Sequence, residues 1–337
     1  MIVMHGIRPF RFARTLMFVF AMVLVGVFTA SCGDSEPEFP NRDIEWFVGF
    51  NAGGGFDVAS RIIADKMSED LGVNVVVRNI PGGGGRRAVQ EISRGEPDGY
   101  SISIVNMPNQ ITAELLDPEG VDFNAISWIG RAVIQTYGMY VAESYPHSTP
   151  QEIAASSPEP RFCLTGLSGH SFLVAAIATK ELGIPWNPVT GYQGSDIRAG
   201  QLRKECELAS GPIAGDTLTA VNGPDFKVLW MFADERFDQV PDAPTISELG
   251  YSDVGGATLA NNGLVMAPPG TPDSVLKILS DSLNKVLDNP EVIEAIHARG
   301  MAVSTLTPDT TGAAVKGMFS IVNENIDVVR ERAASSN

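Results

Sequence analysis

The sequence predicts an α/β protein made of two similar halves, and three observations predict it. An apolar strand runs through a short glycine-rich turn into an amphipathic helix from Ile44 to Gly72, and again from Arg161 to Gly183. Both helices end on an acid, Leu-Gly and an aliphatic residue: Asp70-Leu71-Gly72-Val73 and Glu181-Leu182-Gly183-Ile184. Elsewhere strand and helix patterns alternate, which favours parallel sheets covered by helices on both faces, with ligands at the carboxyl ends of strands. A glycine turn that opens a helix leaves several backbone N–H groups unpaired, with the positive end of the helix dipole behind them. Two such turns in matching places point to one small anion held across a cleft.

The chain opens on an address. Arg8, Arg11 and Arg14 form a basic segment with no acid before residue 34, and Leu16 to Phe28 is almost wholly apolar. That run is shorter than the roughly 20 residues a spanning helix needs, and its order of charged, apolar and small residues is that of a secretory signal. Thr29-Ala30-Ser31-Cys32 then reads as a lipoprotein cleavage site with the lipid on Cys32, although Thr29 stands where an aliphatic residue is usual. The competing reading is an ordinary signal-peptidase site near Ser31, or an uncleaved anchor. The expected organisation is a signal peptide over 1–31 and a polar tether over 32–43.

The elements follow in order. Ile44 begins the first strand, and the helix after Gly53-Gly54-Gly55 carries apolar residues at helical spacing. Asn74 to Arg78 (NVVVR) reads as a buried parallel strand, Pro81 to Gly85 as a turn and Arg86 to Arg94 as a helix. Tyr100 to Val105 is a strand introduced by the Asp98-Gly99 turn; Trp128 to Ile134 and Tyr137 to Ala142 are two more. Pro150 to Ser156 starts a short helix capped by Thr149. Beyond the second glycine-turn unit, Phe226 to Phe232 is a strand, and Ala257 to Met266 returns the chain to the first half. Pro272 to Leu287 and Pro290 to Arg299 are amphipathic helices capped by Thr271 and Asn289. One domain is therefore expected over 44–141 with 256–337, and a second over 142–255.

Charge and cysteine content narrow the class. The net charge is −16, and loss of the leader's three arginines takes it to −19. So acidic a surface disfavours nucleic acid and anionic membrane faces as partners, but not a small anion bound by local N–H groups. Beside Cys32 only Cys163 and Cys206 remain. A disulfide between them needs two strands nearly in register, and two buried free thiols are the preferred expectation. The four histidines are scattered, and neither a metal set nor a cofactor motif is visible.

FNAGGGFDVASRIIADKM, VVVRNIPGGGG with EPDGYSI, LTGLSGHS, VTGYQGSD, DERFDQVPDAPTISELGY and LVMAPPGTPDSV occur in that order along the chain. On these motifs the chain resembles the substrate-binding receptors of tripartite tricarboxylate transporters, the TctC or Bug family of periplasmic solute receptors. The resemblance covers nearly the whole chain beyond the leader. It implies two Rossmann-like domains joined by two crossovers, a ligand cleft between them, and capture of a small carboxylate for integral-membrane transporter subunits. With the leader and Cys32, the expected protein is an exported, cell-envelope lipoprotein, with no enzyme activity and no cofactor. The chain departs from the family pattern at the first loop, which lacks the usual Pro and reads Phe50-Asn51-Ala52-Gly53-Gly54-Gly55. It departs again at Arg78-Asn79-Ile80-Pro81-Gly82, at Arg86 and at Tyr192-Gln193-Gly194. No backbone donor is lost, so the anchor for one carboxylate is retained while the ligand's far end is left open.

Residue by residue, Asn51, Gly53, Gly54 and Gly55 form the first candidate loop, with glycines that let backbone N–H groups approach a carboxylate. Asp57 either meets an amine or caps its own helix. The facing loop offers Gly166, Ser168, Gly169, His170 and Ser171, with hydroxyls and an imidazole N–H as donors. Tyr192, Gly194 and Ser195 form a third loop in which Tyr192 closes over the ligand or packs in the wall. Ser210-Gly211-Pro212 and Asp216-Thr217 are placed at the cleft edge, and Asn106 and Asn261-Asn262 toward the far end. Arg86 and Arg87 either lie in solvent or meet a second carboxylate.

Other classes fit less well. A dinucleotide enzyme needs a third glycine where Val58 stands and an acid where Arg78 and Asn79 end the second strand. A hydrolase built on Ser168 and His170 fails the G-x-S-x-G pattern at its last position. A receptor that senses its ligand for a signalling partner, without transport, is the remaining alternative.

Overall fold

The computed structural model describes residues 39–167, 169–192, 196–233, 235–251 and 259–334. The described residues from Arg42 onward form one compact unit. The leader, Cys32, Ser168, Gly194 and Ser195 lie outside the described residues.

The first sheet is built from β1 (Ile44–Val48), β2 (Val75–Asn79), β3 (Ser101–Met107), β4 (Ser127–Gln135), β10 (Asn261–Ala267) and β11 (Met301–Val303). Its spatial order is β11-β4-β10-β3-β1-β2. The β2-β1-β3 half is parallel, whereas β10 runs antiparallel between β3 and β4, and β11 runs antiparallel to β4. The sheet is therefore mixed, where alternation alone favours a purely parallel one. The returning strand enters from the opposite end and takes the central gap.

Burial follows from this order. β10 is buried at every position and β3 at all but its first, as strands covered on both faces must be. β2 was expected to be equally buried, but it is an edge strand with Val76 exposed. Covering helices include α1 (Gly55–Leu71), α2 (Arg86–Ser93), α3 (Asn109–Leu116), α8 (Asp273–Leu287) and α9 (Pro290–His297).

The second lobe holds β5 (Tyr137–Ala142), β6 (Arg161–Cys163), β7 (Asn187–Val189), β8 (Ala209–Pro212) and β9 (Phe226–Met231). β5 lies antiparallel between β8 and β9, and β6 pairs with β7 in parallel. A bridge from Phe162 to Leu208 brings these two small sheets side by side. Around them stand α4 (Pro150–Ala154), α5 (His170–Glu181), α6 (Asp196–Leu202) and α7 (Gly215–Val221). The first half was expected to run to residue 141, yet β5 belongs to the second lobe's sheet. Only Thr136 separates it from β4.

Helix ends follow local chemistry. Gly72 (φ 72°) and Gly183 (φ 63°) take the left-handed conformation that closes α1 and α5, which explains the shared Leu-Gly signature. Thr149 forms a full capping box with Glu152 on α4, and Asn289 caps α9. Thr271 does not cap α8; its hydroxyl donates to the Pro268 carbonyl instead. A final helix, α10 (Pro308–Ala334), packs against β4, α3 and α5 and was not anticipated from sequence. Among the described residues no helix is long and apolar enough to cross a membrane.

Cys163 and Cys206 are joined in a disulfide with Cα atoms 5.5 Å apart. This corrects the expectation of two free thiols. The β6 strand lies beside the segment leading into β8, with the Cys163 N–H donating to the Leu208 carbonyl, and this supplies the near-register approach that a disulfide needs.

Candidate functional site

A cavity of about 470 Å³ lies between the lobes, and both glycine turns open onto it. Gly53, Gly54 and Gly55 contribute from the start of α1, and Gly169, His170 and Ser171 from the start of α5. The two N-caps are Gly54 (φ −72°, ψ 164°) and Gly169 (φ −79°, ψ 155°), and neither helix has a side-chain cap. A Ser, Thr, Asp or Asn at these positions would accept a bond from the first-turn N–H groups. Glycine leaves those donors free, in contrast with α4 and α9, whose caps consume theirs. At Gly169 a side chain is also excluded by space, since a Cβ would lie 2.7 Å from the Thr165 hydroxyl.

Asp57 holds the first turn in place and does not line the cavity. It is 2% exposed; one carboxylate oxygen accepts from the Gly53 N–H (2.8 Å), and Arg61 and Asn79 bind the carboxylate as well. Burial would raise this carboxyl, but the bonds from Arg61, Gly53 and Asn79, with the Arg61 charge, outweigh it and hold it below the usual range. Neither sequence alternative is realised: Asp57 neither meets an amine nor caps α1, but ties down the Gly53 N–H just before the N-cap. Asn51 is exposed outside the cavity, and its carbonyl accepts from the Gly54 N–H to close the turn.

His170 lines the cavity but offers no donor to an anion. Its Nε2 is 3.0 Å from the Leu259 carbonyl, which can only accept, so the ring proton sits on Nε2 and Nδ1 carries the lone pair. Burial pushes this imidazole down to about 4, against the Leu259 bond, which pulls the other way, so the ring is neutral at pH 7. Tyr137 packs edge-on against it with centroids 4.6 Å apart.

Other sequence candidates divide. Asn106 lines the cavity at the end of β3, its oxygen fixed by Gln110 at 2.8 Å. Asn261 lines it as well, bonded to Gln135, whereas Asn262 is turned to Arg131. Ser210, Gly211, Pro212, Asp216 and Thr217 are in the lining. Gly166 is outside it, in the turn whose carbonyl accepts from the Gly169 N–H. Tyr192 does not close over the cavity: its ring packs on Gly200 and its hydroxyl donates to Glu205. Arg86 is occupied by Glu114, Asp117 and Glu119, and Arg87 is exposed.

Sequence reasoning missed Gln135, Tyr137, Tyr140, Arg198 and Asn109, all in the lining. Four buried lining atoms have no hydrogen-bond partner: His170 Nδ1, Ser171 Oγ, Asn109 Oδ1 and Asn261 Oδ1. Such a concentration of unpaired polar atoms around one cavity marks a place where a polar guest or water belongs. No group of metal-binding side chains occurs among the described residues.

Known proteins share this architecture. The sequence model of the tripartite tricarboxylate transporter family receptor matches residues 59–313. Protein BugT of Bordetella pertussis is 28% identical over 309 residues, 86% of this chain and 91% of its own length. Among solved structures, MatC from Rhodopseudomonas palustris with bound malate is similar at TM-score 0.73 and 20% identity, covering 86% of this chain and 100% of that one. R. palustris Rpa4515 with adipate is similar at TM-score 0.74 and 19% identity, over 87% and 98%. The structural likeness establishes the two-lobed periplasmic-binding-protein fold, and the family match establishes descent: this chain belongs to the tripartite tricarboxylate transporter receptor family, TctC.

Proposed function

We propose that the protein is an extracytoplasmic receptor that binds a small carboxylate in its interdomain cleft and delivers it to a tripartite tricarboxylate-type membrane transporter. The observation that carries this reading is the pair of glycine-capped helices opening onto one cavity. Each presents first-turn N–H groups, and the helix dipoles favour a negative charge between them. Gly53, Gly54, Gly55, Gly169 and Ser171 supply the grip on one carboxylate, and Asn106 and Asn261 face the remainder of the ligand; Ser168 is a further donor by its place in the sequence alone. MatC holds malate and Rpa4515 adipate, ligands of the chemical class these donors suit.

The leader directs export, and Cys32 carries the lipid that keeps the receptor at the membrane beside its transporter. The Cys163–Cys206 disulfide is in keeping with an oxidising compartment. The ligand leaves unaltered. Ser210 donates to the Ser171 carbonyl and Thr217 accepts from Arg198, so neither hydroxyl is paired with a base that would make it a nucleophile.

Thermal-shift measurement on the purified protein with a carboxylate panel tests the reading. A true ligand at 100 times its dissociation constant adds about 2.7 kcal/mol. Its methyl ester should add almost nothing. Equal stabilisation by acid and ester would refute the carboxylate grip, and turnover of a bound acid would refute the receptor.

A further inference from the structure

Arg198 is the feature of the cavity that carboxylate capture by backbone donors does not explain. It is only 9% exposed, and arginine is seldom buried to this degree without full pairing. Its partners include the Asp216 carboxylate (2.6 Å, from Nη2) and the Thr217 hydroxyl (2.9 Å, from Nη1). The ion pair is lopsided: the Asp216 side chain is 73% exposed and that of Arg198 only 11%. Asp216 would be solvated as well without Arg198. A carboxylate so exposed returns little to a buried cation.

The guanidinium also has donors to spare. It presents five N–H bonds in a rigid fork; Asp216 and Thr217 take two, and the Tyr140 hydroxyl, also in the lining, takes another, which leaves donors over. Among the described lining residues it is the one permanent cation, since His170 is neutral. The glycine turns meanwhile present only neutral donors.

Its position is fixed from three sides. Ile197, the residue before it, packs in a cluster with Tyr140 and both cysteines of the disulfide. Gly200, two residues on, is backed by the Tyr192 ring. Gln201 donates to the Tyr140 and Glu207 carbonyls. A charged group held so firmly at a cavity wall has its ordering cost met before a ligand arrives.

We propose, resting on the receptor reading above, that Arg198 receives the second acid group of the ligand, so that the site selects dicarboxylates over monocarboxylates of the same length. Asp216 is the counter-ion that this acid group replaces. It yields to the ligand by turning further into solvent, where most of its side chain already lies. The grip at the glycine turns serves any carboxylate; the Arg198 end determines which carboxylates are held well.

The test is calorimetry on the purified protein with succinate, glutarate and adipate, each beside its monomethyl ester, which keeps one carboxylate and the chain length. At least one diacid should bind ten-fold or more tightly than its half-ester, the loss expected when a charged hydrogen-bonded partner is removed. Arg198→Leu should weaken the diacid by a similar factor and leave the half-ester unchanged. Asp216→Asn should tighten the diacid. Equal binding of diacid and half-ester by the unaltered protein overturns the inference and leaves the receptor reading intact, and this comparison needs no variant to fold. Loss of the half-ester together with the diacid in a folded Arg198→Leu protein also overturns it. Failure of the unaltered protein to bind any of the six compounds counts against both readings.

Discussion

Gly54→Val isolates the anchor from the fold. Of the three glycines in the first turn, Gly53 has φ 84°, so a side chain there would strain the turn whatever the ligand does. At Gly55 a Cβ would meet the Gln135 amide at 2.5 Å, so substitution would disturb the protein wall directly. Gly54 alone has an ordinary extended conformation, and its Cβ would find only the Asn51 carbonyl, at 3.3 Å. Replacing a glycine N-cap by valine should cost the fold only about 1 kcal/mol. The added isopropyl group nevertheless occupies the place where first-turn N–H groups meet the ligand. Losing one charge-assisted hydrogen bond costs ~1.5–3 kcal/mol, roughly tenfold to a hundredfold in affinity. Circular dichroism should show a native fold, and calorimetry with whichever carboxylate binds the unaltered protein should show that loss. A folded variant with unchanged affinity would refute the two-turn grip and move the site elsewhere.

Three further outcomes are expected. The disulfide closes a separation of 43 residues, so replacing Cys163 and Cys206 by Ala should lower the unfolding free energy by up to about 4 kcal/mol in urea melts; a change below about 1 kcal/mol would remove it as a brace. His170 titrates at about 4 when folded and at about 6.5 when unfolded, so below pH 6.5 the unfolded chain binds a proton the folded one refuses. Stability should therefore fall as pH drops from about 6.5 to 4, by up to about 3 kcal/mol from this group, and His170→Gln should lack that component; identical pH slopes would exclude His170 as its source. Cys32→Ala should abolish incorporation of labelled lipid, and undiminished labelling would rule out that anchor.

Much of the frame is legible in the sequence because it is written locally. A glycine turn between a strand and an amphipathic helix, or a Leu-Gly helix end, is a short-range signal, and α1 and α5 stand where those signals are. Sheet order is not written locally. Nothing in Asn261–Ala267 announces that it inserts antiparallel between β3 and β4, nor does the valine run of β2 reveal that it ends at an edge. The same division runs through the site. Gly53–Gly55 and Gly169–Ser171 were recognisable as turns, whereas Arg198 sits in a seven-residue helix with no motif around it. Tyr192, attractive as an aromatic in a loop, proved to be a buttress because Gly200 leaves room for its ring. For His170 the sequence leaves a ligand donor and a surface or cap histidine open, and only the Leu259 carbonyl, distant in sequence, reveals that its proton is already used.

Thr136, the single residue between β4 and β5, has a mechanical consequence. Its neighbours Gln135 and Tyr137 both line the cavity, and Gln135 is also clasped by Asn261, the first residue of the strand by which the chain returns to the first lobe. The connection between the lobes is therefore part of the cavity wall. Were the lobes to turn about it, atoms at Gln135 and Tyr137 would move least, and the turns at Gly54 and Gly169, one in each lobe, would move most. A change in lobe angle would then alter the spacing of the proposed grip while leaving the wall at Gln135 and Tyr137 in place.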